Sequence, residues 1–158
     1  MISLSTPPLE RDVVPAGPVS ARPQIPSTAP DTDFTVRLVD VHPPNADCPH
    51  GFATNLTDGI VRCRFRHSSE RPEPLVPGEI HEVEVRAPDT ADLFAAGHRI
   101  RPGVSSSNFR RFDVNTNTGE PEATSRRTAV ATNTVPMDAG HPSRLRVWLE
   151  GGAAGLVM

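Results

Sequence analysis

Lysine and tyrosine are both absent from the 158 residues, and each absence excludes a class of chemistry. Without lysine the chain can form neither a catalytic Schiff base nor the lysine contact of a Walker-type phosphate loop. Without tyrosine it has no phenol that could act as an acid, a base or a nucleophile. All 16 cationic side chains are arginines, and 19 acidic residues bring the net charge to −3. This near balance argues against nucleic acid or an anionic membrane as the main partner.

Long hydrophobic runs are missing as well. No apolar stretch approaches the roughly 18–20 residues that a membrane span needs. The N-terminus lacks the basic and then apolar pattern of a secretory signal. The two cysteines, Cys48 and Cys63, are too few for a disulfide scaffold, so we expect a reducing, cytoplasmic location. We expect no cofactor.

Proline, in contrast, is abundant, at 18 of the 158 residues, about twice its usual share. Because proline breaks helices and central strands, the composition predicts many short segments joined by rigid turns. Residues 1–29 are predicted to be a proline-rich segment that contributes only edge strands. The body of the domain is expected at 30–150 and a frayed tail at 151–158.

Alternation of apolar and polar residues predicts several strands. Phe34, Val36 and Leu38 recur at period two and so share one face of a strand over 34–41. A turn is predicted at Asp58-Gly59. Further strands are predicted at 79–86, 98–101, 128–135 and 143–149.

One short helix is predicted at residues 89–97. Asp89 or Thr90 would cap its N-terminus, and Gly97 would end it. Many short strands with one helical turn are typical of an all-β sandwich, and the alternation of strands and helices that a doubly wound sheet requires is missing.

The strongest alternation, in residues 60–66, also provides a candidate functional surface. Its apolar face consists of Val61, Cys63 and Phe65, and its basic face of Arg62, Arg64 and Arg66. Three guanidinium groups on one face could bind carboxylates of a partner domain, so these arginines are a candidate domain interface. The alternative is a plain solvated sheet face.

Catalytic residues are not predicted. A serine hydrolase needs a Gly-x-Ser-x-Gly elbow on a strand-to-helix turn, and the nearest approach, GVSSS at 103–107, lacks the second glycine. Ser105 could be combined with Asp113 and either His98 or His141 into a triad. Local backbone hydrogen bonding explains the histidines better, because His98 follows the predicted helix end and His141 precedes a proline turn.

Two residue sets could in principle hold a metal ion. Thiol and imidazole pairs suit zinc, and carboxylates in turns suit calcium. The zinc candidates are Cys48 with His50 and Cys63 with His67, and the calcium candidates are Asp31, Asp33, Asp40 and Asp47. The cysteine spacing fits no known zinc finger, and turn capping explains the aspartates. We therefore predict no metal site.

Nine short runs occur in an order that is more specific than any one of them. They are STPPLE (5–10), APDTDF (29–34), LVDV (38–41), NLTDG (55–59), GHRIR (97–101), SSSNF (105–109), RFD (111–113), NTNTG (115–119) and HPSRL (141–145). In this order they resemble the C-terminal domain of the cocaine-esterase-like (CocE/NonD) and X-Pro dipeptidyl-peptidase-like serine hydrolases. The chain departs from the family pattern at Pro102-Gly103, which we expect to interrupt a strand, and at Pro26.

The resemblance implies a galactose-binding-like jelly-roll β-sandwich without catalytic residues. In the family this sandwich packs on an α/β-hydrolase domain, which supplies the catalytic triad for ester or amide hydrolysis. That domain, on another chain or in a missing N-terminal part, is the implied partner, and this chain would be a stand-alone or truncated sandwich. The alternatives are a free-standing carbohydrate- or ligand-binding module and a non-functional gene fragment.

Overall fold

The computed structural model describes residues 1–121 and 123–149 in full and the backbone of Gly152–Val157. Its strands are β1 (Ile2–Ser3), β2 (Pro15–Arg22), β3 (Gln24–Pro26), β4 (Asp33–His42), β5 (Phe52–Arg62), β6 (Ile80–Glu82), β7 (Val85–Ala91), β8 (Arg99–Ser105), β9 (Arg144–Leu149) and β10 (Gly152–Val157). One 3-10 turn, Cys63–Phe65, follows β5. Within the described ranges, no helix has the length and hydropathy needed to cross a membrane.

Two four-stranded antiparallel sheets form a sandwich. Sheet I has the strand order β1-β8-β4-β5, and sheet II has the order β10-β9-β2-β7. Strands β3 and β6 form a separate pair beside them. The all-β sandwich predicted from the sequence is thus confirmed, and its galactose-binding-like classification stays a prediction.

The core lies between the two sheets. The side chains of Phe34, Val36 and Leu38 on β4 are at most 2% exposed, as their period-two spacing predicts. Sheet II contributes buried residues from three of its strands, namely Val19, Ala21, Val85, Leu145 and Val147. The alternation of β9 follows the sequence prediction, because Leu145 and Val147 are buried while Arg144, Arg146 and Trp148 are exposed.

The N-terminal segment is more central than its prolines predict. Strand β2 is not an edge strand, because it pairs with β9 on one side and with β7 on the other. Pro15 begins the strand, and Pro18 falls in a bulge where the register shifts between Gly17 and Val19. A bulge leaves one residue out of the ladder, so the missing N–H of Pro18 costs no hydrogen bond.

Strand β8 also runs through the proline that we expected to interrupt it. Pro102 pairs with Leu38, and Gly103 pairs with Arg37. The Pro102 carbonyl accepts a hydrogen bond from the Leu4 N–H. Because the N–H and C=O of a strand residue point the same way, the missing donor of Pro102 faces the short N-terminal edge segment, so β8 keeps its hydrogen bonds to β4.

The predicted helix at residues 89–97 is wrong. Asp89 and Thr90 lie in β7, and Phe94 exchanges two backbone hydrogen bonds of 2.9 Å with Val13. Phe94 is 1% exposed, so burial of its ring and pairing with the N-terminal segment replace local helix formation. Gly97 adopts a positive φ of 87° in the turn that follows.

Two further segments differ from the predictions. The predicted strand at 128–135 is reduced to one isolated bridge between Ser27 and Asn133. The backbone of Gly152–Val157, expected to be frayed, pairs antiparallel with β9 as β10, while residues 151 and 158 lie outside the described residues. The added strand β10 covers the edge of β9 that would otherwise be unpaired.

Asp58 and Gly59 lie inside β5 instead of forming a turn. A Cβ on Gly59 would lie 2.1 Å from the carbonyl oxygen of Arg86 on β7. Strands β5 and β7 belong to different sheets, so this glycine allows the two backbones to meet at the margin of the sandwich. At the same margin, the Thr57 hydroxyl on β5 donates a hydrogen bond to the carbonyl of Pro88 on β7 at 3.0 Å and so joins the two sheets.

Candidate functional site

The three predicted interface arginines do not share one exposed face. Strand β5 ends at Arg62, and the chain then turns through Cys63–Phe65. The Cys63 N–H donates to the carbonyl of Thr32 at 2.9 Å, and Cys63 is fully buried. Burial raises the pKa of the Cys63 thiol, so it behaves as an apolar core residue. The alternation predicted for residues 60–66 therefore ends at Arg62.

Arg64 is turned into the protein, where its side chain is 9% exposed. Its Nη1 donates to Asp31 Oδ2 at 3.1 Å, and its backbone N–H donates to Asp31 Oδ1 at 2.9 Å. The same guanidinium also donates to the carbonyl of Glu120. Asp31 is completely buried. Burial raises the pKa of Asp31 above the usual aspartate value, and hydrogen bonds from Asn115 and Arg64 offset part of that rise.

Arg62 forms a second, more exposed ion pair beside the first. Its Nε and Nη2 donate to the two carboxylate oxygens of Asp33 at 3.1 and 3.3 Å. Asn115 joins the two pairs, because its Nδ2 donates to Asp33 Oδ1 at 2.7 Å and to Asp31 Oδ2 at 3.0 Å. Asn115 lies more than 80 positions from either aspartate, so no local sequence pattern indicates that it joins them.

Arg66 stabilises the loop that follows the 3-10 turn. Its side chain is 3% exposed, and its Nη1 donates to the carbonyl of Cys63 at 3.1 Å. Its Nη2 pairs with Glu73 at 2.7 Å, and a hydrogen bond from His67 together with this pair lowers the pKa of Glu73. The prediction of one exposed arginine face is therefore wrong, and a role of these arginines at a domain interface stays a prediction.

An open groove of about 360 Å³ lies next to Arg62. It is lined by Asp33, Ile60, Arg62, Phe65, Phe112 and Asp113. The rings of Phe65 and Phe112 are half-buried, and each has an arginine guanidinium over it, at 5.1 and 5.6 Å. The groove therefore combines aromatic surface with the Arg62–Asp33 ion pair.

The two histidines considered for a catalytic triad contact other carboxylates. Ser105 ends β8, and its carbonyl accepts a hydrogen bond from Thr35. The His98 ring contacts Asp40, and the His141 ring contacts Asp138. Within the described part of the chain, no hydrogen bond joins Ser105 to either imidazole.

Three of the residues considered as zinc or calcium ligands have other structural roles. Asp31 and Asp33 are bound to arginines, and Cys63 is a free thiol in the core. Among the described residues, the one group with metal-ligand spacing is Asp40, His42 and His98. Asp40 belongs to the calcium candidates, and its Asp-x-His spacing on a strand places the side chains of Asp40 and His42 on one face.

A family model and a known protein both match most of the chain. Residues 3–146 match the model of the X-Pro dipeptidyl-peptidase C-terminal non-catalytic domain. The chain is 41% identical over 147 residues to the cocaine esterase of Rhodococcus sp. (strain MB1 Bresler), covering 92% of this chain and 25% of that enzyme.

Solved structures show the same fold. An aminopeptidase from a marine sediment archaeon (Thaumarchaeota archaeon) and an α-amino acid ester hydrolase each superpose with a TM-score of 0.87 at 28% identity. Each superposition covers 94% of this chain and 25% of the other. The chain thus spans about a quarter of the length of these relatives. It belongs to the family of X-Pro dipeptidyl-peptidase C-terminal non-catalytic domains.

Proposed function

We propose that this chain acts as the β-sandwich of a serine hydrolase of the X-Pro dipeptidyl-peptidase and esterase type. It packs on an α/β-hydrolase domain that hydrolyses ester or amide bonds. The observation that carries the proposal is the match of residues 3–146 to the non-catalytic domain, in a chain that spans a quarter of its hydrolase relatives. The nucleophile, its base and the oxyanion donors come from the other domain.

The groove beside Arg62 is the surface that we assign to this contact. Interfaces gain most of their energy from aromatic and arginine side chains, and those between domains are more polar than a core. Phe65 and Phe112 supply the aromatic part of the groove, and the Arg62–Asp33 pair supplies a charged group held at its edge. Arg64 and Arg66 contribute indirectly, because they fix the turn that carries Phe65.

A chimeric enzyme tests this assignment. The matching quarter of the Rhodococcus cocaine esterase is replaced by this chain, and esterase turnover is compared with that of the same enzyme lacking the quarter. We expect the chimera to restore turnover and Phe112→Glu in the chimera to reduce it at least about tenfold, because the interface would lose an aromatic side chain and bury a charge.

Val130→Glu is the matched control, because Val130 is 95% exposed and lies outside the groove. We expect the control to leave turnover unchanged. A chimera no more active than the truncated enzyme would contradict the proposal as a whole. An active chimera that tolerates Phe112→Glu would contradict only the choice of groove.

We also propose that the chain works in the cytoplasm. Cys48 and Cys63 are both free thiols, and unpaired cysteines are typical of proteins in a reducing compartment.

A further inference from the structure

We propose that Asp40, His42 and His98 form a binding site for a divalent transition-metal ion of the Zn²⁺ class. The site lies on sheet I, where β4 ends and β8 begins, and it involves none of the residues that line the groove beside Arg62. Each of the three side chains offers one ligand atom, and these atoms all lie within 4.8 Å of one another.

The strand pairing brings the three groups together. Asp40 and His42 are two residues apart on β4, so their side chains leave the same face of sheet I. Because Val41 pairs with Arg99 in antiparallel register, the neighbouring residue His98 lies opposite His42. On the other side of β4, Phe52 pairs with His42, and its ring stacks on the imidazole with centroids 3.9 Å apart and planes 13° apart. The ring of His42 is thereby held in place before any ion binds.

The distances are close to those of a coordinated ion. His42 Nε2 lies 3.1 Å and His98 Nδ1 lies 2.9 Å from Asp40 Oδ2. A tetrahedral zinc ion with bonds of about 2.0–2.1 Å holds its ligand atoms roughly 3.3 Å apart, so each imidazole nitrogen is within a few tenths of an ångström of the required distance from Asp40. The side chains are 4%, 15% and 25% exposed for Asp40, His98 and His42. The site is therefore mostly enclosed, and His42 is its most exposed side chain.

The donor set selects the kind of ion. Two imidazoles with one carboxylate favour zinc and neighbouring transition metals, whereas calcium and magnesium prefer oxygen ligands. In the absence of an ion, both imidazoles face the same carboxylate: His98 Nδ1 is hydrogen-bonded to Asp40 at 2.9 Å, and His42 Nε2 lies 3.1 Å from Asp40 Oδ2. A bound cation would replace the proton between His98 and Asp40, and it would balance the negative charge of Asp40 in a setting that is only slightly exposed.

The test uses the full 158-residue chain without an affinity tag and with Cys48→Ser, which removes a partly exposed thiol that could bind zinc by itself. After dialysis against a chelator, ZnCl₂ is titrated calorimetrically. We expect one ion per chain. His42→Gln and His98→Asn each keep an N–H donor for Asp40 but are poor metal ligands, so each should weaken binding at least about tenfold.

His141→Gln is the matched control, since it removes an imidazole that also contacts a carboxylate, that of Asp138. It should bind zinc as the parent does, and circular dichroism should show that all variants are folded. Co²⁺ should give the visible absorption of a low-coordinate complex in the parent and not in the two site variants. Absence of stoichiometric binding, or equal affinity in the parent and both site variants, would overturn the proposal. Neither outcome would bear on docking to a hydrolase domain.

Discussion

Asp31→Ala is expected to lower the free energy of unfolding by about 3–5 kcal/mol, the usual cost of removing one partner from a buried ion pair. The carboxylate is fully buried and accepts hydrogen bonds from the backbone and guanidinium of Arg64 and from Asn115. Burial of this charge is costly, as the raised pKa of Asp31 shows. Removing it is still unfavourable, because the donors that surround it would lose their acceptor inside the protein.

Asp47→Ala is the matched control, because Asp47 is exposed. Its effect is expected to stay within about 0.5 kcal/mol. Urea denaturation followed by circular dichroism measures both variants. If the two variants lost similar stability, Asp31 would not anchor the turn after β5 as the structure indicates.

Gly59→Ala is expected to cost more than about 4 kcal/mol or to prevent folding, as only the most severe core substitutions do. The added Cβ would lie 2.1 Å from the Arg86 carbonyl oxygen and 2.9 Å from the Ala87 Cα. Both obstacles are backbone atoms of β7, so no side-chain rotation can relieve the clash. The two sheets would have to separate where β5 crosses β7.

Gly103→Ala tests whether any strand glycine would behave in the same way. The nearest atom to a Cβ at this position, Met1 Sδ, is 3.5 Å away, which is an ordinary contact. We expect a change within about 1 kcal/mol. Thermal unfolding followed by circular dichroism compares the two variants. Equal stability of both would mean that the β5–β7 approach is looser than the structure has it.

The sequence predicts the parts of the fold that depend on local pattern. The alternation of Phe34, Val36 and Leu38 is sufficient to assign β4 and its buried face. The alternation through Arg64 fails because bonds from distant residues, Asp31 and Thr32, turn the chain after Arg62. Such contacts leave no periodic signal in the sequence.

The positions of Pro18 and Gly59 in the sheets could not be predicted from the sequence for a related reason. Pro18 is harmless in a central strand because the bulge falls there, and Gly59 is needed inside a strand because another backbone passes next to it. Both facts depend on the pairing partner. The contact between His42 and His98 likewise depends on the register of β4 against β8. The short spacing of Asp40 and His42 along β4 is the part of this arrangement that the sequence alone indicates.

The central claim is that this polypeptide contributes a β scaffold and no catalytic machinery for bond cleavage. Turnover of a p-nitrophenyl ester by the purified 158-residue chain, compared with Ser105→Ala, tests it most directly. We predict that neither protein hydrolyses the ester faster than buffer alone. Ester hydrolysis by the purified parent above the buffer rate would contradict the claim, and its loss in Ser105→Ala would identify the nucleophile.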